Sequence, residues 1–257
     1  MSAFETLLYE KKDHIAYVTL NRPKALNVYN IQMRNDLYEV LGAIKDDPDI
    51  RVAIFRGAGE KAFCAGADLS EFLTAPSPTI ARQVRFGRDV WGLFSSLPQP
   101  LIAAMHGFVI GSGVEIALYC DIRIAADDVK FGLPEVKLGI IPAAGGTQTL
   151  PRVIGKARAL EMILTSDWMN AEEAFRAGLV NRVVPKARLY ETAEEIAQKI
   201  ASFNPTAVRC AKQAVVRGLD MPLQEGLELE RRLAFENRLL ARDKEPCPRI
   251  EGEDSFS

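Results

Sequence analysis

Histidine is nearly missing from this chain of 257 residues: His14 and His106 are the only two. They lie too far apart for a His-Glu-x-x-His helix or a three-histidine centre, so metal chemistry is not expected. Cysteine is scarce as well. Cys64, Cys120, Cys210 and Cys247 are widely spaced with no Cys-x-x-Cys pair, which removes zinc knuckles and disulfide frameworks and reads as reduced thiols in a cytoplasmic protein. No apolar run reaches the roughly 18 residues of a membrane-spanning helix. The opening Met1 to His14 mixes acidic and basic residues and lacks the apolar run of a secretory signal. Nor does one sign of charge dominate. Lys plus Arg number 32 against 34 Asp plus Glu, a net charge of −2, so neither nucleic acid nor a membrane is expected as a partner.

What the chain does have is a hydrophobic fraction of 48%, enough to bury one large core without staples. Over the first two-thirds, short apolar runs alternate with amphipathic stretches, the pattern of a layered α/β fold. Strands are expected at His14 to Leu20, Val52 to Phe55, Leu101 to Ala104 and Ile122 to Ala125. Ile31, Leu37, Val40, Leu41 and Ile44 recur at helical spacing until Pro48 stops the helix. A longer helix is predicted from Thr79 to Ser95, and a short apolar one from Val114 to Cys120. Beyond Pro142 the chain reads as mostly helical: Ala157 to Leu164, Ala171 to Ala177, Leu189 to Phe203, Pro205 to Arg217 and Leu223 to Leu240. It divides into a core of residues 1–200 and a helical C-terminal region of residues 201–257, whose amphipathic helices can pack on their own core or on a neighbouring subunit.

Three features carry chemistry. Gly111-Ser112-Gly113-Val114-Glu115 lies between a predicted strand and a predicted helix. The first N–H groups of a helix have no intrahelical partner and sit in a positive potential, so an oxyanion is stabilised there; a tight turn with no ligand is the plainer reading. A Rossmann fingerprint fails because Ile116 stands where its third glycine belongs, and a serine-hydrolase elbow fails because Ile110 and Val114 hold its outer glycine positions. The second feature, Ala62-Phe63-Cys64-Ala65-Gly66-Ala67-Asp68, is another loop of small residues. Asp68 lies three before Glu71, a capping pair for a helix starting near Leu69. Donors from two such loops converging on one carbonyl oxygen make an oxyanion hole, in which a single donor contributes about 3 kcal/mol. The third feature is the pair Glu115 and Glu135. The first sits in an otherwise apolar helix, where a carboxyl group is costly unless bonded or used; the second follows Pro134, a context for a fixed turn. Taken singly, each glutamate reads as exposed or helix-capping.

Together these segments resemble the enoyl-CoA hydratase/isomerase family, also called the crotonase superfamily, over about Thr6 to Asp243. The resemblance is carried, in the family's order and spacing, by Asn21-Arg22-Pro23-Lys24-Ala25-Leu26-Asn27, Lys61 to Leu69, His106-Gly107 to Glu115, Cys120-Asp121, Phe131-Gly132-Leu133-Pro134-Glu135, Leu138-Gly139 and Gly145-Gly146-Thr147-Gln148. It implies an α/β fold, the crotonase (ClpP-like) spiral of repeated ββα units, closed by C-terminal helices that build homotrimers and commonly a dimer of trimers. It further implies oxyanion-hole N–H groups at Ala67 and Ser112 and catalytic glutamates at Glu115 and Glu135. Ala67, Asp68, Leu69 and Ser70 would line the thioester and pantetheine, and Lys24, Ala25 and Ala65 would lie near the CoA nucleotide.

The implied reaction is reversible addition of water across the 2,3 double bond of an enoyl-CoA, giving a 3-hydroxyacyl-CoA. It needs no metal and no redox cofactor, coenzyme A being part of the acyl-CoA thioester substrate. Glu135 is expected to give the proton to C2, and Glu115 to orient and help deprotonate the water. Double-bond isomerisation, or hydration of a cyclic or conjugated dienoyl-CoA, is the alternative use of the same oxyanion hole. RNA binding, a second activity of some family members, is not expected of a chain without a dense Lys/Arg run, and a non-catalytic scaffold is disfavoured because both glutamates stand beside both loops. The chain departs from the family at two glycines: Ser112 replaces the middle of a Gly-Gly-Gly, and Ala143 stands where many hydratases have glycine. An added Cβ at each is expected to shift the acyl group or the water. Phe72, Leu73, Phe86 and Trp91 are the expected acyl-pocket walls, and Glu245-Pro246-Cys247-Pro248 begins a divergent tail.

Overall fold

The computed structural model describes residues 4–71, 77, 79 and 87–242. They divide into two compact units, one ending at Ser202 and the other beginning at Phe203. The first unit opens with a hairpin, β1 (Leu7–Lys12) antiparallel to β2 (Ile15–Leu20). Asp13 and His14 form its two-residue turn at φ 49° and 66°, the left-handed pair that matches strand twist. That turn removes His14 from the predicted strand. β1 itself escapes the hydrophobic pattern because only Leu7 is buried in Leu-Leu-Tyr-Glu-Lys-Lys.

β2 pairs in parallel with β3 (Val52–Gly57), and beyond it lie β5 (Leu101–Met105), β7 (Ile122–Ala126) and β10 (Arg182–Val184), giving a six-stranded sheet ordered β1-β2-β3-β5-β7-β10. Successive side chains point to opposite faces, and both faces are covered, as parallel strands require. Ile15, Tyr17, Ile54, Ile102 and Ile124 pack with Leu189, Ala193 and Ala197 of a helix from Leu189 to Ala201. Val18, Phe55, Ala103 and Ala125 face the larger core, shared with Leu37, Val40 and Leu41 of α1 (Ile31–Asp46). The Asn30 side chain accepts from Met33 N at 2.9 Å and so fixes the start of α1.

The predicted helix from Thr79 to Ser95 is not continuous. Asp89 accepts from Gly92 N at 2.8 Å and caps a new helix, α2 (Val90–Ser96); residues 80–86 of that prediction lie outside the described residues. Then come α3 (Ser112–Tyr119), α4 (Gly146–Ile154), α5 (Lys156–Thr165), α6 (Ala171–Arg176) and α7 (Leu189–Ala201). A second sheet, ordered β4-β6-β8-β9, is built from β4 (Ala62–Cys64), β6 (Phe108–Ile110), β8 (Lys130–Gly132) and β9 (Met169–Asn170). Its first three strands are parallel, and β9 runs antiparallel to β8. The second unit holds α8 (Pro205–Gly218), capped by the Asn204 side chain, and α9 (Leu223–Arg242), which pack on each other. No described helix is long and apolar enough to cross a membrane.

Candidate active site

Because β4, β6 and β8 are parallel, their C-terminal ends lie side by side and deliver three loops to one place. Ala65-Gly66-Ala67 follows β4, Gly111-Ser112 follows β6, and Leu133-Pro134-Glu135 follows β8. Gly111 N donates to Gly132 O at 2.9 Å and ties two of these loops together. Two glycines are needed for the close approach. Gly66 has φ 103° and Gly111 has φ 52°, and a Cβ on Gly111 would lie 2.9 Å from Glu135 Oε1. A Cβ on Gly113 would run into the Cys64 carbonyl, so α3 sits directly on the end of β4.

The amide of Ala67 is aimed by its neighbours. Tyr29 bridges Ala67 in parallel, with Tyr29 N donating to Gly66 O and Asp68 N donating to Tyr29 O, each at 2.8 Å. In that pattern the central residue turns its own N–H away from its partner, and Ala67 lines the cavity. Ser112 is the first residue of α3, so its N–H has no carbonyl behind it in the helix, and it lines the same cavity.

The two glutamates enter from different elements. Glu115 lies on the buried first turn of α3 and is only 2% exposed. Its Oε1 accepts from Ala144 N at 2.8 Å and Gly146 N at 3.0 Å. A Cβ on Gly146 would stand 3.0 Å from that oxygen, so the glycine gives the carboxylate its seat. Glu135 opens a single 3-10 turn, Glu135–Leu138, closed by Gly139 at φ 72°. Its Oε2 is buried without a hydrogen-bond partner among the described residues, and burial pushes its carboxyl pKa above the ordinary value. Neither is the exposed or capping residue that its own segment suggests. Sheet, helix and the 143–146 loop close over Glu115, and the turn folds Glu135 inward.

One cavity of about 780 Å³ is lined by Ala67, Ser112, Glu115 and Glu135 together. Of the residues expected near the CoA moiety, Ala65 and Leu69 line it, whereas Lys24, Ala25, Asp68 and Ser70 do not. Asp68 is engaged elsewhere: the Ser70 hydroxyl at 2.6 Å and the Arg22 guanidinium at 3.0 Å hold its carboxyl below the usual range. Half of the predicted capping pair forms: Asp68 Oδ1 accepts from Ser70 N at 3.2 Å at the start of the 3-10 turn Leu69–Glu71, whereas Asp68 N donates to Tyr29 O and Glu71 accepts from Ile31 N at 2.8 Å. Trp91 lines the cavity, as does Ala143; Phe72, Leu73 and Phe86 lie outside the described residues. Burial pushes the neighbouring Cys64 thiol up to about 12, leaving it protonated and inert. Sequence reasoning missed Tyr29, Leu138, Ile140 and Ile141 as lining residues. The break at Asn27, which adopts φ 56°, was the one local signal that Tyr29 leaves the preceding loop.

The chain is similar to known proteins over most of its length. The profile of the Enoyl-CoA hydratase/isomerase family matches residues 10–246. An (E)-benzylidenesuccinyl-CoA hydratase of Thauera aromatica is 46% identical over 220 residues, 85% of each chain. A short-chain-enoyl-CoA hydratase of Clostridium acetobutylicum is 44% identical over 87% of this chain and 86% of its own. The crystal structure of an enoyl-CoA hydratase from Bacillus anthracis superposes with a TM-score of 0.85 at 42% identity, covering 90% of both chains. A six-stranded sheet beside a smaller one whose parallel strands feed one cavity is thus the crotonase fold, and the chain belongs to the enoyl-CoA hydratase/isomerase family.

Proposed function

We propose that the protein reversibly adds water across the C2–C3 double bond of a 2-enoyl-CoA, giving a 3-hydroxyacyl-CoA. The carrying observation is that two main-chain donors and two carboxyl groups line one cavity. In a 2-enoyl thioester the alkene is conjugated with the carbonyl, so water attacking C3 sends negative charge to the carbonyl oxygen. The N–H groups of Ala67 and Ser112 stabilise that oxygen as it becomes an enolate. Glu115, held at one oxygen by Ala144 N and Gly146 N, orients the water and takes its proton. Glu135, kept protonated more readily by burial, delivers a proton to C2. The product keeps one water proton on its new hydroxyl and gains its C2 proton from Glu135, and passage of the proton left on Glu115 back to Glu135 through solvent resets the pair. No redox step occurs in this sequence, and no bound cofactor is required for it.

The C-terminal unit serves assembly in this reading, with residues 1–200 holding the reaction. Val215, Leu219, Leu223 and Phe235 are 62%, 82%, 78% and 63% exposed, apolar surface of the kind that subunits cover, and a homotrimer or a dimer of trimers is the expected assembly. Cys64 and Cys120 are buried thiols, and a cytoplasmic setting is part of the same reading. Purified protein incubated with crotonyl-CoA and longer 2-enoyl-CoA esters should remove the conjugated absorbance and add the mass of one water. A shifted double bond at unchanged mass would replace hydration with isomerisation.

A further inference from the structure

Tyr29 and Trp91 share the cavity with the reacting groups, and their ring centroids are 5.6 Å apart at 33°. Trp91 is backed in turn by Tyr119, at 5.6 Å and 25°, and by Phe94, at 6.2 Å and 23°. Phe94 and Tyr119 themselves stack at 5.9 Å. The wall is therefore a fixed aromatic surface with little rotamer freedom left to lose. It is also rooted at the oxyanion hole: Tyr29 N and O bond on either side of Ala67, each at 2.8 Å, so the ring starts from the strand that aims the Ala67 amide. Among the described residues, Leu138, Ile140 and Ile141 also line the cavity and are 52%, 38% and 63% exposed.

We propose that the preferred substrate is an aryl-conjugated 2-enoyl-CoA, its aromatic ring lying against Tyr29 and Trp91. This rests on the hydratase reading above and narrows it. An acyl group conjugated from thioester to ring is a flat plate, so seating its carbonyl oxygen on two amides also fixes the plane of the distant ring. Aromatic rings gain from offset or tilted packing at centroid separations of about 4.5–7 Å, and a rigid plate on a rigid wall loses little conformational freedom on binding. A saturated tail of equal carbon count must freeze several torsions to cover the same surface, and a four-carbon acyl group offers less area to it.

Conjugation with the ring shifts the equilibrium of an aryl pair toward the alkene, so the comparison is run as dehydration for every ester. Initial rates for 3-hydroxy-3-phenylpropionyl-CoA, 3-hydroxybutyryl-CoA and 3-hydroxyhexanoyl-CoA give the ratios of kcat/KM. The aryl ester should lead by about tenfold, Tyr29→Leu should cut that lead by about tenfold whatever its absolute rates, and Tyr29→Phe should keep it. A parent enzyme that favours either alkyl ester overturns the proposal without recourse to a variant. So does a lead that Tyr29→Leu leaves unmoved. If none of the three esters is dehydrated, the hydratase reading itself fails, a result distinct from a reversed preference.

Discussion

At the N-terminal ends of β4, β6 and β8 the loops are tied down by polar bonds. Lys186 Nζ donates to the Glu60 carbonyl at 2.6 Å and to Asp128 Oδ2 at 2.9 Å, Gly107 N donates to Asp128 Oδ1 at 3.1 Å, and Tyr190 Oη donates to the Gly57 carbonyl at 3.0 Å. His106 is buried among them, and burial together with the Lys186 ammonium lowers its pKa against the opposing pull of Asp128 and Glu60, which favours the neutral ring. At the C-terminal ends of the same strands, the chain leaves the Ala67 amide turned away from Tyr29, a helix-start amide at Ser112 and a buried oxygen on Glu135 without a partner among the described residues. The tied end fixes the strands, which lets the open end keep polar groups in reserve for a substrate. Unsatisfied groups persist only where the surrounding structure over-determines them.

The largest expected effect lies at the open end. Glu115→Gln and Glu135→Gln should each lower kcat by at least ~100-fold while a CoA thioester still binds, as separate rate and affinity measurements would reveal; full activity in either would remove that residue from the chemistry. Next comes one substitution made at both ends. Gly107 has φ 57°, and a Cβ there would run into the Lys61 carbonyl, so Gly107→Ala should cost about 2 kcal/mol in denaturant unfolding with kcat kept by the folded fraction. Gly111→Ala should act on rate as well, lowering kcat about tenfold, because the new Cβ pushes Glu135 aside. If the two variants exchanged these effects, the contrast between the ends would be lost. A smaller effect is expected of Lys186→Met. Its ion pair with Asp128 is partly exposed, so about 0.5–1 kcal/mol of stability should go, with no change in kcat.

The smallest effect is a pH dependence. Burial raises the Glu135 carboxyl above 4.5, so between the unfolded and folded values the native state binds more protons than the unfolded chain. Stability then falls as pH rises through that window, and the penalty is absent below it and complete above it. Glu135→Gln removes the penalty, so its Tm should exceed the parent's by on the order of 2 °C near neutral pH and converge with it near pH 4. A difference that grew on acidification would contradict the assigned burial.

The periodic elements were legible in the sequence, and so were the two loops. α1 and the strands at Val52, Leu101 and Ile122 show their pattern because each buries a regular set of side chains. The small sheet does not, since β4, β6 and β8 have three residues apiece, too few for alternation to register. Local reading also misjudged both acids: an acidic residue in a first helical turn suits solvent and dipole equally well, and the burial of Glu115 comes from the 143–146 loop, about 30 residues on. Asp89 hid a helix start inside an apparently continuous helix for the same reason, a cap being a single side-chain bond that periodicity does not sense.

Since the donors proposed at positions 67 and 112 belong to the main chain, no substitution short of proline deletes them. Ala67 and Ser112 can exchange side chains, and the walls beyond can be rewritten, while the proposed enolate cradle stays. The vulnerability passes instead to backbone shape at Gly66 and Gly111. A lineage carrying this scaffold can therefore wander among acyl groups through ancestors that all remain active.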